Sequence, residues 1–312
     1  MQINNATLNG LRTTFSLQFQ TAYKAANDVW WNKVATKVPS STATNTYGWM
    51  ANRINLREWT GARVAQNLSA HAATYTNKPY EGTVEVDRDD IEDDNLGVYS
   101  AITMPEFGIA VAKHPDELIR AMLASNPTMW DGKALFADDH PTYDVTEAVT
   151  TYDNNLALAL TADNFETARI TRRRYIGENG KVLGVKSNLL IVPPSLERKA
   201  KEIVIAAQTI KPVYNVAETE IVAAGMLDNV SVGSADILVI DELEDDPTAW
   251  YLADTTRPLK PFLFQMRREA QFVAKDSPTD DNVFTKKKFV YGVEGRWTVG
   301  ATLPWLITKS KP

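Results

Sequence analysis

NKPYEGTVEVDRDDIEDDN, residues 77–95, carries two signals end to end. From Tyr80 to Asp87 the chain reads as extended, with Val84 and Val86 on one side and Thr83, Glu85 and Asp87 on the other. Asn77, Lys78 and Pro79 supply turn chemistry before it. Upstream, REWTGARVAQNL (57–68) leads into this run, so residues 46–90 suggest a long two-stranded ribbon. An isolated ribbon is marginal in water. This one needs a domain of its own or another chain to lie on, and that need governs the reading of the rest.

The second signal is DRDDIEDDN (87–95), with six carboxylates in nine positions. A calcium loop needs ligands at positions 1, 3 and 5, glycine at 6 and glutamate at 12. Counting from Asp90, position 6 is Asn95 and position 12 is Ala101; counting from Asp89, position 3 is Ile91. The pattern fails. Acidic residues just before a helix instead favour its positive N-terminal end. The following segment, 94–125, has an apolar helical face of Leu96, Tyr99, Phe107, Ala110, Leu118 and Met122. Pro105 and Pro115 each remove a backbone donor, so a kinked or segmented helix is expected.

On the N-terminal side, Leu8, Leu11, Phe15, Phe19, Tyr23, Ala26, Trp30 and Val34 recur at spacings of three and four. This predicts one helix over 6–38, ended by Pro39 and SSTATNT. A long terminal helix followed by a polar stretch suits an arm that packs on a neighbouring subunit.

Downstream, DGKALFADDHP (131–141) reads as a loop with a short strand, and His140 as a solvated loop histidine. With only His71, His114 and His140, no paired zinc-ligand spacing exists. A helix is predicted over 161–176, starting at Thr161. Its Arg169, Arg172, Arg173 and Arg174 are expected on a solvated face or paired with acids. NLLIVPPSLERKAKEIVIAAQ (188–208) reads as a strand from Leu189 to Val192, a proline break and a helix that Ser195 can cap. A second strand, Ile237–Ile240, is expected to pair with Trp250–Leu252 across an acidic turn. The C-terminal part, from PFLFQM (261–266) onward, is rich in strand signals.

ILVIDE (237–242) has the form of a strand that presents two carboxylates to magnesium in a nucleotide hydrolase. That chemistry also needs GxxxxGK[ST]. The nearest stretch, GENGKV (177–182), has only two residues between its glycines and Val182 where a hydroxyl is required. Gly177–Gly180 is better read as a turn, and ILVIDE as a buried strand ending in an acidic turn. No GxSxG elbow, GxGxxG fingerprint or cysteine occurs.

The bulk numbers agree. The chain has 312 residues, is 44% apolar and has net charge −6. It is long enough for about two domains, and generic nucleic-acid affinity is disfavoured. The N-terminus lacks the pattern of a secretion signal, and no apolar stretch approaches a membrane span.

Several stretches together carry a family resemblance. They are VWWNKVATKVPSSTATNTYGWM (29–50), INLREWTGARVAQNL (54–68), NKPYEGTVEVDRDDIEDDNLGVY (77–99), WDGKALFADDHP (130–141) and LLIVPPSLERKAKEI (189–203). In order and spacing the chain resembles the major head subunit of Mu-like phages and prophages. The resemblance implies an α+β, HK97-type capsid fold. Residues 1–45 would be the N-terminal arm and 46–90 the extended loop on the adjacent subunit. Residues 91–160 and 259–299 would form a peripheral domain with a spine helix, and 161–258 with 300–312 an axial domain. Trp59, Arg63, Val84, Val86 and Arg88 would contact other subunits, and removal of 62–86 would leave a folded subunit unable to form shells.

The implied function is structural: hexamers and pentamers closing an icosahedral head around double-stranded DNA, assembled in the bacterial cytoplasm. No catalytic residue, cofactor, metal or membrane partner is implied. A scaffold or protease, a portal and decoration proteins would be partners. The competing readings are an encapsulin-like shell protein and a P-loop or metal-dependent phage enzyme built on ILVIDE.

Overall fold

The computed structural model describes residues 5–26, 29–50, 70–93, 97–143, 149–177, 182–214 and 221–312. The chain opens with helix α1 (Asn5–Ala25), a short helix α2 (Trp31–Val34) and strand β1 (Ala35–Pro39). Strands β2 (Thr44–Met50), β3 (Ala70–Thr76) and β4 (Lys78–Asp87) follow, then helix α3 (Arg88–Asp93). A π-helical turn, Tyr99–Thr103, runs into helix α4 (Met104–Ser125). Next come β5 (His140–Tyr143), β6 (Val149–Tyr152), β7 (Asn155–Leu156), α5 (Ala162–Arg173), β8 (Leu189–Val192) and α6 (Pro194–Val204). The rest is β9 (Gln208–Tyr214), β10 (Ile221–Asp228), β11 (Asp236–Val239), β12 (Trp250–Ala253), β13 (Phe262–Lys275), α7 (Asp281–Lys286), β14 (Lys288–Ala301) and β15 (Ile307–Ser310).

Two sheets organise the body. One runs β1-β13-β14-β4, the other β11-β8-β12-β15-β7. In the second, apolar runs without alternation mark strands buried on both faces. Leu189 and Ile191 of β8, with Tyr251 and Ala253 of β12, face a core shared with Phe262 and Phe264 of β13, Trp297 of β14 and Ile119 of α4. Leu190, Val192, Trp250 and Leu252 face the other way, against α5 and α6. One apolar core thus spans both sheets.

The predicted N-terminal helix is shorter than its stripe. It stops at Ala25, and Ala35–Pro39 is a strand parallel to β13. Two features divert the chain. The buried Asp116 carboxylate accepts the backbone N–H groups of Trp30 (3.3 Å) and Trp31 (2.6 Å), fixing a new helix start. Pro39 also disfavours helix for the residue before it. Nor is α1 a free arm. Phe15 and Phe19 are buried, Phe15 meeting Tyr291 edge-on at 5.0 Å and Phe19 meeting Phe107 of α4. Where α1 crosses α4, a Cβ on Gly108 would lie 2.5 Å from the Phe19 carbonyl oxygen, so only glycine permits the approach.

The expected break at the prolines is absent. Val98–Ser125 is one continuous helical run. Pro105 follows closely on the π-helical turn Tyr99–Thr103, and Pro115 is accommodated inside α4. A left-handed Asn126 (φ 45°) ends it, its side chain bonding Phe136 N and O at 2.7 and 3.0 Å.

Three further expectations are corrected. Trp250–Leu252 does not pair with Ile237–Ile240, because β8 lies between β11 and β12. Ser195 is not the cap of α6. That place belongs to Pro193, and Glu244 reaches across to accept Ser195 N (3.1 Å) and its hydroxyl. His140 is not solvated. It is fully buried on β5, with Nδ1 2.6 Å from Asp131 Oδ2, Nε2 3.3 Å from Leu135 O, and its ring stacked on Tyr152.

Arg172 is likewise no surface cation. It is completely buried, donating to Leu252 O (2.8 Å), Thr308 Oγ1 (2.7 Å), Leu306 O (3.0 Å) and Lys186 O (3.2 Å). Burial lowers its pKa to about 10, which leaves it cationic at neutral pH. Thr161 does cap α5, accepting Asn164 N at 3.2 Å.

Candidate assembly surfaces

Among the described residues three hairpins pair only with themselves: the short β5–β6, which carries the buried His140, and two longer ones. The first of the longer two joins β2 to β3 antiparallel, from Thr44 opposite Thr76 to Met50 opposite Ala70. Hydroxyl pairs Thr44–Thr76 and Thr46–Thr74 (3.2 and 3.0 Å) line one face. Tyr47 and Tyr75 alternate with them, and their rings root the ribbon in the body. Tyr47 OH donates to Gln265 Oε1 at 2.7 Å, and Tyr75 OH donates to Ala301 O. A Cβ on Gly300 would lie 2.4 Å from the Tyr75 ring, so glycine there makes room for this root. Asn77 closes the base, its amide donating to Ala43 O and its side chain to Ser40 Oγ and Thr42 O, each at 2.9 Å.

The ribbon is therefore real but displaced from its predicted register. Asn77 ends it rather than turning between its strands. The run Tyr80–Asp87 belongs to β4, which pairs with β14 over Lys78–Asp87. Val86 is buried and Val84 half-buried in a core with Phe15, Ile91, Phe289 and Tyr291. Both side chains stabilise this chain's own sheet. Removing 62–86 would delete that strand, so the expected folded remnant does not follow. Arg88 begins α3, its N–H on Lys287 O at 2.9 Å. Trp59 and Arg63 lie outside the described residues.

The second hairpin, β9–β10, pairs Gln208–Tyr214 with Ile221–Asp228. Pro212, which lacks a backbone N–H to give to a ladder, lies within the first of these strands. Its root is tied by Asn229, whose Nδ2 donates to Ile203 O (2.8 Å) and Ala206 O (2.9 Å) at the end of α6. Around that root Ile205, Met226, Val230 and Val232 are exposed, Val230 at 97%. Four large apolar side chains thus stand in solvent near one hairpin base.

The acidic end of ILVIDE has other work. Asp241 and Glu242 are exposed in a 3₁₀ turn, Asp241–Asp245. Arg120 of α4 donates Nε to Glu242 O at 3.3 Å and pairs with Asp245, while Glu244 holds the start of α6. The turn clamps two helices. Among the described residues, no three His, Asp or Glu side chains cluster as a metal site, and no helix is long and apolar enough to cross a membrane.

The comparisons agree with this picture. The family model described as "Mu-like prophage major head subunit gpT" matches residues 8–159, 154–227 and 229–312. The major capsid protein of Escherichia phage Mu is 28% identical over 302 residues, covering 96% of this chain and 72% of that protein. The Mu-like prophage FluMu major head subunit of Haemophilus influenzae is 27% identical, covering 86% of this chain and 62% of its own length. Among solved structures, the procapsid of bacteriophage JBD30 is 31% identical with a TM-score of 0.61, covering 99% of this chain and 76% of that one. The fold is the α+β, HK97-like capsid fold, and these relatives are structural proteins, not enzymes. The chain belongs to the Mu-like prophage major head subunit gpT family: it is a head-forming capsid subunit.

Proposed function

We propose that copies of this chain close a shell as hexamers and pentamers, using the β2–β3 ribbon against one neighbour and the β9–β10 hairpin with its apolar root against others. The observation that carries the reading is that both hairpins pair with neither sheet of the body. A two-stranded hairpin is marginal in water unless something covers it, and in a shell the adjacent copy does so. Such head-to-tail contacts close only when each rotation is matched by curvature. In this reading the β1-β13-β14-β4 sheet with α4 is the peripheral domain, and the β11-β8-β12-β15-β7 sheet with α5 and α6 is the axial domain. Trp59 and Arg63, between the ribbon strands in sequence, are candidate contacts to the next copy.

The shell would enclose double-stranded DNA without reading its sequence, consistent with a net charge of −6. A scaffold or protease, a portal and decoration proteins are the partners such a head requires, and assembly would take place in the host cytoplasm. Negative-stain electron microscopy of the concentrated full-length chain tests this. Closed shells, or rings and tubes with six-fold units, are expected. Dispersed monomers alone, with and without neighbouring gene products, would overturn it.

A further inference from the structure

Helix α5 ends in a patch that the fold leaves uncovered. Ile170, Arg173 and Arg174 stand three and four residues apart, so they share one side of the helix end, and all three are exposed. Just after them Ile176 bridges Val182 antiparallel, and both side chains are exposed. Buried neighbours fix the patch in place. Arg172 holds Leu252 O of β12 and Thr308 Oγ1 of β15, and Tyr175 OH donates to Asp153 O (2.5 Å), just ahead of β7. The patch therefore lies toward the β15–β7 edge of the five-stranded sheet. Arg169, earlier on the helix, is paired with Glu166, but neither Arg173 nor Arg174 enters an ion pair among the described residues.

The root of β9–β10 lies toward the other edge. Gly233 N bonds Val204 O at the end of α6, and Asp236 opens β11, the strand at that edge. Met226, Val230 and Val232 are exposed there, and the charge beside them has the opposite sign: Asp228 and Asp236 are exposed, and neither enters an ion pair among the described residues. On α6 alongside, Arg198 pairs with Glu202 and Lys201 with Glu197, so these four charges cancel. Four strand spacings, roughly 19 Å, separate the two edges. The patches are thus matched in character, yet too far apart to cover each other within one chain.

We infer that the end of α5 is the docking surface for the β9–β10 root of the next copy. Ile170, Ile176 and Val182 pack on Met226, Val230 and Val232, while Arg173 and Arg174 face Asp228 and Asp236. The inference rests on the shell reading above and names the surface that meets the hairpin root in it. A second copy is the occupant because each chain carries both halves, apolar and oppositely charged, on opposite edges of one sheet. Such a head-to-tail contact repeats from copy to copy and closes a ring, whereas a two-fold contact of either patch with itself would set like charges against each other.

The test is a charge swap in the full-length chain. Wild type is compared with Arg173→Glu/Arg174→Glu, with Asp228→Arg/Asp236→Arg and with all four changes together, shell yield being measured by sedimentation. Each double variant is expected to lose roughly tenfold in yield, because like charges then face across the contact, and the fourfold variant to recover most of the wild-type yield. Unassembled subunits of all three variants should melt with wild type, since the four side chains are exposed. A cryo-electron microscopy map of the wild-type shell reads the same contact without substitution, with Arg173 expected beside Asp228 of an adjacent copy. Undiminished yield in a double variant, no recovery in the fourfold variant, or Arg173 facing solvent in the map would overturn the inference while leaving the shell reading intact. Failure of the wild type to form shells at all would overturn both.

Discussion

Asp116 shows how one side chain can redirect an element. It is 3% exposed, and its burial raises the carboxyl pKa from the ordinary 3.8 to about 6, against two backbone N–H donors that lower it. Because the folded state holds the proton more tightly than the unfolded chain, this group's contribution is fully present below about pH 4 and is lost as pH rises through about 6. Asp116→Asn should flatten the stability–pH curve in that window, by about 2–3 kcal/mol across it, as read by urea unfolding at pH 4, 5, 6 and 7. Arg172 makes the opposite kind of demand. Its guanidinium joins the carbonyls of Leu252, Leu306 and Lys186, and Arg172→Met would strand them. A loss of about 3–5 kcal/mol in monomer stability is expected from thermal or denaturant melts. Neither role was legible in sequence. Asp116 is one of three carboxylates on an amphipathic helix, and Arg172 stands in a run of three arginines that reads as a solvated face. Burial of either depends on elements far away in the chain.

The ribbon and its neighbour β4 differ in what holds them. β4 is stabilised by its ladder to β14 and by Val86 in the core, whereas β2 and β3 are held to the body mainly at their roots, through Tyr47, Tyr75 and Asn77. Because Asn77 N bonds Ala43 O directly, the ends of the ribbon are adjacent. Replacing residues 44–76 with two glycines should therefore leave a folded, monodisperse subunit that no longer forms shells. Circular dichroism and electron microscopy check the two halves of that statement, and loss of fold would make the ribbon part of the subunit's core. Excision of 62–86 should instead unfold the chain, since it removes most of β4. The alternation from Thr83 to Asp87 identified β4 as a strand, but alternation does not say which strand it pairs with. The long apolar stripe of α1 was equally visible, yet where it ended was decided by Asp116 and by pairing with β13.

In the assembled head, the β9–β10 root should matter more than it does to the isolated subunit. Val230→Asp places a charge on a fully solvated side chain, so monomer stability should move by less than about 0.5 kcal/mol. If that side chain is covered by another copy, shell yield should fall at least roughly tenfold, the cost of a polar group in a closed apolar contact. Sedimentation of wild type and variant measures it, and equal yields would place this patch outside every contact. Local order was readable in the residues themselves. The fully apolar strand Leu189–Val192, the cap at Thr161, the strand-rich C-terminus and the stretches shared with Mu-like head subunits follow from short-range propensity, periodicity and motif order. Tertiary structure decided what those elements meet: that β8 separates β11 from β12, that His140 and Arg172 are interior, and that Val86 faces its own core. The physical reason is that propensity and hydrophobic period are properties of neighbours along the chain, whereas burial and pairing arise between residues tens to hundreds of positions apart.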